Sequence, residues 1–262
     1  MPDQRNTSSR TPVPSYHVLG IPVHCLQISE VISQIESWIV TRDTTRYIAI
    51  TGMHGVSESR RDAHFRGILQ SASLVIPDGM PLVWLGRWHK QSIDRRVTGS
   101  ELLEVFCEQT GSRYRHFFYG GAPGVAEDLA RCLQDRHQIG VAGTYCPPYR
   151  PLNAQEEEEI AAILEAAAPD ILWIGLSTPK QERWMYEHRE KVLVPAMLGV
   201  GAAFDFNSGR LRRAPSWIGD RGLEWLFRLL MEPARLWKRY LVTIPSAMWS
   251  VSLELFHLRK FE

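Results

Sequence analysis

Asp78, in the stretch LVIPDGMP, is the residue of this chain best placed to do chemistry. Ala72 to Ile76 reads as a short buried strand, because aliphatic residues run on there without alternation. Pro77 has no N–H for a sheet ladder and ends it. Asp78 therefore stands at a strand exit, where open α/β sheets hold their ligands. A carboxylate there can take the proton of an attacking alcohol, and Gly79 beside it leaves room for close approach. The same residues also read as an ordinary Asp-Gly turn. Other polar residues fall at strand ends of the same kind: Thr51 after RYIAI, Lys180, Gln181 and Glu182 after ILWIGLSTP, and Asp205 after VPAMLGVGAAF. A parallel sheet would gather all of them on one rim.

Two further stretches could bind an anion. FYGGAPGVAEDLA places Gly120, Gly121 and Gly124 directly before a helix, where backbone N–H groups can cradle phosphate. It is neither G-x-G-x-x-G nor a Walker loop, and it reads equally as a tight strand-to-helix turn. Arg95 and Arg96 precede Thr98-Gly99-Ser100, a helix start with Ser100 as candidate N-cap. They could hold an anion there or be solvated. Tyr145 closes another strand at GTY and is counted with Arg96 and Lys180 among the candidate binding residues.

The elements that position these residues alternate. Strands are expected over Tyr16 to Val23, Arg46 to Thr51, His116 to Tyr119, Gly140 to Tyr145, Ile171 to Leu176 and Val194 to Val200. Helices are expected over Ser29 to Val40, Val56 to Gln70, Met80 to Trp88 and Asn153 to Ala168. Pro179 suits the first turn of a further helix, with Ser177 or Thr178 as its cap. This is the grammar of an α/β fold with a Rossmann-like, largely parallel sheet flanked by helices. The glutamate run of Asn153 to Ala168 reads as a solvated helix face.

The chain has 262 residues, 44% hydrophobic, and a net charge of +1. That is enough for a sizeable core, and the balance excludes a polycation that binds nucleic acid. The charge is nevertheless uneven. Residues 210–239 hold eight basic residues, Arg213, Arg228, Arg235 and Lys238 among them, against three acidic, a net of +5 that leaves −4 elsewhere. Such a segment suits an anionic partner. Leu223, Leu226, Phe227 and Leu230 fall at helical spacing inside it, and four of the nine tryptophans lie from Trp217 onward. Basic residues among interfacial aromatics fit a helix lying on an anionic membrane surface; the alternative is a helix packing on its own domain. No apolar run reaches the ~18 residues of a spanning helix. Cys25, Cys107, Cys132 and Cys146 are widely spaced, which fits a reducing compartment. The expected division is a disordered leader over 1–15, a catalytic domain over 16–210 and a basic amphipathic helical appendage over 211–262.

In order, IPDGMP, RRVTGSELL, FYGGAPGVAEDLA, APDILWIGLSTPKQE and GVGAAFDFNSGRLRRAPSWIGDRGLEWLFRLLMEPARLWKRY resemble the WecG/TagA/CpsF glycosyltransferase family from about Tyr16 to Tyr240. The resemblance implies an inverting, metal-independent enzyme without a cofactor. It would move a sugar from a UDP-sugar to a polyprenyl-diphosphate-linked acceptor in cell-surface or exopolysaccharide synthesis, at the inner face of the cell membrane. It implies Asp78 as catalytic base, Thr51 and Gln181 at the donor's diphosphate or sugar, and Asp205 at the nucleoside. Arg228, Arg235 and Lys238 would reach toward the active site and the lipid diphosphate. The absence of D-x-D agrees with metal independence. Met53 stands where the family usually has asparagine, so the donor sugar is N-acetylmannosamine, the family archetype, or a plain hexose such as glucose or mannose. A homo-oligomer is compatible with the chain.

Two rival readings make different demands. An NAD-dependent oxidoreductase or epimerase needs G-x-G-x-x-G after the first strand and an acid ~20 residues on, and the chain has neither. A non-catalytic, membrane-associated nucleotide-sugar-binding subunit would keep the site and lack turnover.

Overall fold

The computed structural model describes residues 13–211 and 224–255. The chain opens with β1 (Ser15–Val18) and β2 (Ile21–His24), an antiparallel hairpin. The single strand expected from Tyr16 to Val23 is corrected here. Leu19 and Gly20 both take left-handed φ angles, 52° and 80°, the geometry of a two-residue hairpin turn. The apolar residues on either side of it hide the break. Then come α1 (Ile28–Thr41), β3 (Arg46–Thr51), α2 (Met53–Arg61) and α3 (Ala63–Gln70). The one helix expected from Val56 to Gln70 is thus two. Asp62 between them is extended at φ −132°, and its carboxylate accepts the Phe65 N–H at 2.9 Å, capping the second.

Next are β4 (Leu74–Pro77), α4 (Met80–Trp88), α5 (Gly99–Thr110), β5 (Arg115–Gly120), α6 (Val125–His137) and β6 (Gly140–Tyr145). The N-cap of α5 is Thr98, whose hydroxyl accepts the Glu101 N–H at 3.2 Å, and not Ser100. The body closes with α7 (Ala154–Ala167), β7 (Ile171–Gly175), α8 (Lys180–His188), β8 (Ala196–Gly199) and α9 (Ala203–Asn207). Pro179 is the N-cap of α8 rather than its first residue, and no side chain caps that helix.

The six strands β3 to β8 form one parallel sheet in the order β4-β3-β8-β7-β5-β6. Alternation along the strands sorts the core into two layers. Ile48, Ile50, Phe118, Trp173 and Leu198 face α1, α5, α6 and α9. Tyr47, Tyr119, Leu172, Ile174 and Met197 face α7 and α8, and Ala49 and Val75 face α3. From the ends of adjacent strands the chain diverges: β8 leads to α9 on the first face, β3 and β7 to α2 and α8 on the other. Such a divergence leaves a crevice at the carboxyl ends of the strands.

The C-terminal part is helical: α10 (Glu224–Met231), α11 (Pro233–Lys238), a π-helical turn (Arg239–Thr243) and α12 (Ile244–Leu255). Ala247 and Val251 of α12 pack on Tyr16, Met53, Val56, Leu82 and Leu85, and Glu254 accepts the Leu19 N–H at 3.0 Å. Trp225, Leu230, Trp237 and Trp249 are exposed, Leu230 by 73%. No helix among the described residues is long and apolar enough to cross a membrane. The leader through residue 12, Arg213 and Trp217 lie outside the described residues, as do the side chains of Arg228, Arg235 and Lys238.

Candidate functional site

The crevice is a solvent-open cleft of about 650 Å³. Four strand ends and three helix starts build it: Ile50 of β3, Asp78 after β4, Ser177 and Thr178 after β7, Gln181 in the first turn of α8, Val200 to Ala203 from the end of β8 to the start of α9, and Thr98 to Ser100 at the start of α5. The rim position inferred for Asp78 and Gln181 is therefore observed, and the two share one cavity.

The backbone fixes Asp78 from both sides. Its N–H donates to Thr51 O at 3.0 Å, and Pro77 O accepts the Val97 N–H at 3.1 Å, tying the RRVTGS segment to the end of β4. Gly99 then lets α5 start against β8: a Cβ there would lie 2.8 Å from Val200 O. The first turn of α5 points its positive end into the cleft, an arrangement that favours an anion. Gly79 differs. Its φ of −133° suits any residue, and a Cβ would make only ordinary contacts of 3.6 Å or more.

Beneath the floor lies a compact polar group. Gln181 is 2% exposed and Glu182 fully buried. The Thr178 hydroxyl donates to Glu182 Oε1 at 2.8 Å, and Gln181 Nε2 donates to the same oxygen at 3.2 Å. Burial pushes the Glu182 carboxyl above the usual range, against the lowering pull of Thr178 and Gln181. Among the described residues, Gln181 Oε1, Glu182 Oε2 and Thr51 Oγ1 have no hydrogen-bond partner. Buried polar atoms are normally satisfied, so this cluster is prepared for something else. Ser177 takes φ 65°, outside the range comfortable for its side chain; strain of this kind gathers at functional sites. The Gln181 N–H holds its carbonyl at 3.1 Å.

Other candidate residues fall elsewhere. Thr51 sits one layer down, its hydroxyl where a Cβ on Gly55 would come within 2.0 Å. Asp205 and Arg96 are half-buried near the cleft, and both have partners. Lys180 is exposed, its Nζ 4.3 Å from the Tyr149 ring. Tyr145 stacks flat on Tyr119 at 5.7 Å, on the sheet's β6 side. Gly120, Gly121 and Gly124 are off the cleft lining. All three have left-handed φ, and the Gly121 N–H already donates to Gly175 O at 3.1 Å. Glu127 and Asp128 occupy the first turn of α6, with Arg210 paired to Asp128 at 2.5 Å. Met53 is buried among Val56, Leu82 and Ala247, so no amide comes from that position.

Sequence reasoning took Thr98, Ser100, Ser177 and Thr178 only as helix-start residues, and set Glu182 on the rim beside Lys180 and Gln181 without giving it a role. The signal for Glu182 was available: it faces inward on α8 beside Trp184 and Met185, where a solvated acid would not be. Among the described residues, no group of three His, Cys, Asp or Glu could hold a metal ion.

Residues 16–261 match the family model described as Glycosyl transferase WecG/TagA/CpsF family. The chain is 28% identical over 227 residues, 86% of each chain, to an N-acetylglucosaminyldiphosphoundecaprenol N-acetyl-beta-D-mannosaminyltransferase of Bacillus spizizenii strain W23. A protein of that name from Bacillus subtilis strain 168 is 30% identical over 199 residues, 74% of each chain. One from Staphylococcus aureus strain MRSA252 is 24% identical over 238 residues, 90% of this chain and 91% of that protein.

Proposed function

Because this chain belongs to the WecG/TagA/CpsF glycosyltransferase family, we propose that it transfers a sugar from a UDP-sugar to a polyprenyl-diphosphate-linked acceptor in the cleft beside Asp78. The reaction is a single inverting displacement. Asp78 takes the proton of the acceptor hydroxyl, that oxygen bonds to the anomeric carbon, and the bond from this carbon to the diphosphate oxygen breaks, so UDP leaves with the electron pair. One base suffices for such a step. The observation that carries the reading is the placement of Asp78: a carboxylate locked at a strand end, on the lining of the same cleft as the first turn of α5. Negative charge developing on the leaving diphosphate is stabilised by that helix start, and by Arg213, Arg228, Arg235 and Lys238 of the basic segment.

The relatives' printed name makes N-acetylmannosamine the first donor sugar to try, and diphosphoundecaprenol-linked N-acetylglucosamine the first acceptor. Met53, turned into the core, keeps a plain hexose in the comparison. The exposed Trp225, Leu230, Trp237 and Trp249 support a C-terminal segment resting on an anionic membrane surface at the cytoplasmic face, since solvent-facing apolar stripes beside basic residues bind such surfaces.

The test is turnover. The purified chain is given UDP-N-acetylmannosamine or UDP-glucose with a lipid-diphosphate-linked N-acetylglucosamine acceptor, and UDP release and the glycolipid product are followed. Transfer that disappears in Asp78→Asn is expected. Binding of UDP without turnover of either donor would make the chain a binding subunit instead.

A further inference from the structure

We propose that Glu182 is a positioning residue that turns the Gln181 carboxamide so its oxygen, not its nitrogen, is offered to the cleft, making Gln181 the reader of a hydrogen-bond donor on the transferred sugar. The inference rests on the proposed sugar transfer and deepens it.

The geometry leaves Gln181 little choice. Its backbone is held by the bond to Ser177 O, and its amide lies on bare backbone, where a Cβ on Gly199 would come 2.8 Å from Nε2. The Nε2 donates to Glu182 Oε1. An ionised carboxylate accepts only, and with Thr178 also donating to Oε1 the amide nitrogen is the group that faces Glu182. The carboxamide oxygen is then on the other side, toward Gly201 of the cleft lining, where a Cβ would lie 3.6 Å from it. Among the described residues it is buried and unpartnered. A buried acceptor suits a ligand O–H or N–H and repels a phosphate oxygen. Gln181 therefore reads a sugar hydroxyl or an acetamido N–H in the cleft of Asp78, and the diphosphate lies off it, at the first turn of α5.

Glu182 is poorly explained as a stabiliser. It is fully buried, no ion pair to it occurs among the described residues, and Oε2 is unsatisfied. A buried carboxyl in that state costs stability. Residues kept at such a cost commonly serve a site.

The test measures binding of UDP-N-acetylmannosamine, UDP-glucose and UDP by calorimetry, with the melting temperature, in wild type, Glu182→Met, Glu182→Gln and Gln181→Met. Glu182→Met is expected to melt at or above wild type and to bind the preferred UDP-sugar roughly tenfold more weakly. Its affinity for UDP should stay within about twofold. Glu182→Gln keeps an oxygen for both donors and should bind the UDP-sugar like wild type. In the Gln181→Met background, Glu182→Met should add nothing, because it acts through Gln181. Equal losses for UDP and UDP-sugar, a drop in melting temperature that accompanies the loss, or additive effects in the double variant would overturn the positioning role. Should Glu182→Met not fold, loss of sugar binding in folded Glu182→Gln overturns it as well. A wild type that transfers sugar while all variants match it removes this inference alone; a wild type that binds neither UDP nor UDP-sugar removes the proposed function with it.

Discussion

The turn after β5 and the turn after β7 both lead from a buried strand into a helix at the same rim of the sheet. The first looks the more functional, with Gly120, Gly121 and Gly124 before α6, yet part of its polar surface is already engaged. The Gly121 N–H is bonded to Gly175, and the start of α6 carries its own acids, with Arg210 bonded to Asp128 and Pro123. The second, Ser177 to Glu182, has no glycine motif. It carries a left-handed serine and buried oxygens without partners. A binding turn is recognised less by its glycines than by what folding leaves unpaired. The glycines after β5 answer a packing demand: a Cβ on Gly120 would lie 2.8 Å from the Gly175 backbone.

The largest effect that breaks this contrast is on the cleft side. Asp78→Asn should lower kcat by 10²–10⁴-fold with an unchanged melting curve; a fall under about tenfold in steady-state turnover would move the base elsewhere. On the glycine side, Gly120→Ala should act on stability. Its φ of 121° and the clash with Gly175 should cost about 3 kcal/mol in urea unfolding, while turnover per folded molecule holds. Loss of turnover without loss of stability would restore the loop as a phosphate cradle.

The two regions should also titrate in opposite senses. His116, on β5 below the glycine turn, accepts the Trp173 Nε1–H at 3.0 Å, and burial lowers its pKa from 6.5 to about 4. The unfolded imidazole takes its proton near 6.5 and the folded one only near 4, so stability declines as pH falls through that window, by roughly 3 kcal/mol. Burial raises Glu182 from the usual 4.5. There the folded state keeps a proton the unfolded chain has released, so stability declines as pH rises above 4.5. Urea midpoints against pH should lose their acid-side slope in His116→Phe and their opposing slope in Glu182→Gln. The smallest effect is Arg210→Ala. The pair with Asp128 is exposed by 40% and 33%, and its loss should cost under about 1 kcal/mol with turnover unchanged.

Much of this was legible in the sequence where the local signal is strong. The spans of RYIAIT, of Met80–Trp88 and of Gly140–Tyr145 are those observed, because long apolar runs and clear breakers leave one solution. The placing of Asp78 and Gln181 on one rim followed from strand ends in a parallel sheet. What was missed depends on the third dimension. Asp62 divides a helix by turning extended while still capping, and Leu19 takes a left-handed turn that its side chain gives no hint of. Glu182 read as a rim residue beside Lys180 and Gln181, and the structure buries it completely, because α8 presses that face onto the sheet. The glycine loop is the converse: a familiar pattern in which the Gly121 N–H goes to Gly175, far along the chain.

The most direct measurement is a crystal structure of the full chain soaked with UDP. The account expects the diphosphate at the first turn of α5, in the cleft with Asp78, Ser100 and Gln181. A diphosphate bound instead on the N–H groups of Gly121 to Val125, with that cleft empty, would contradict it.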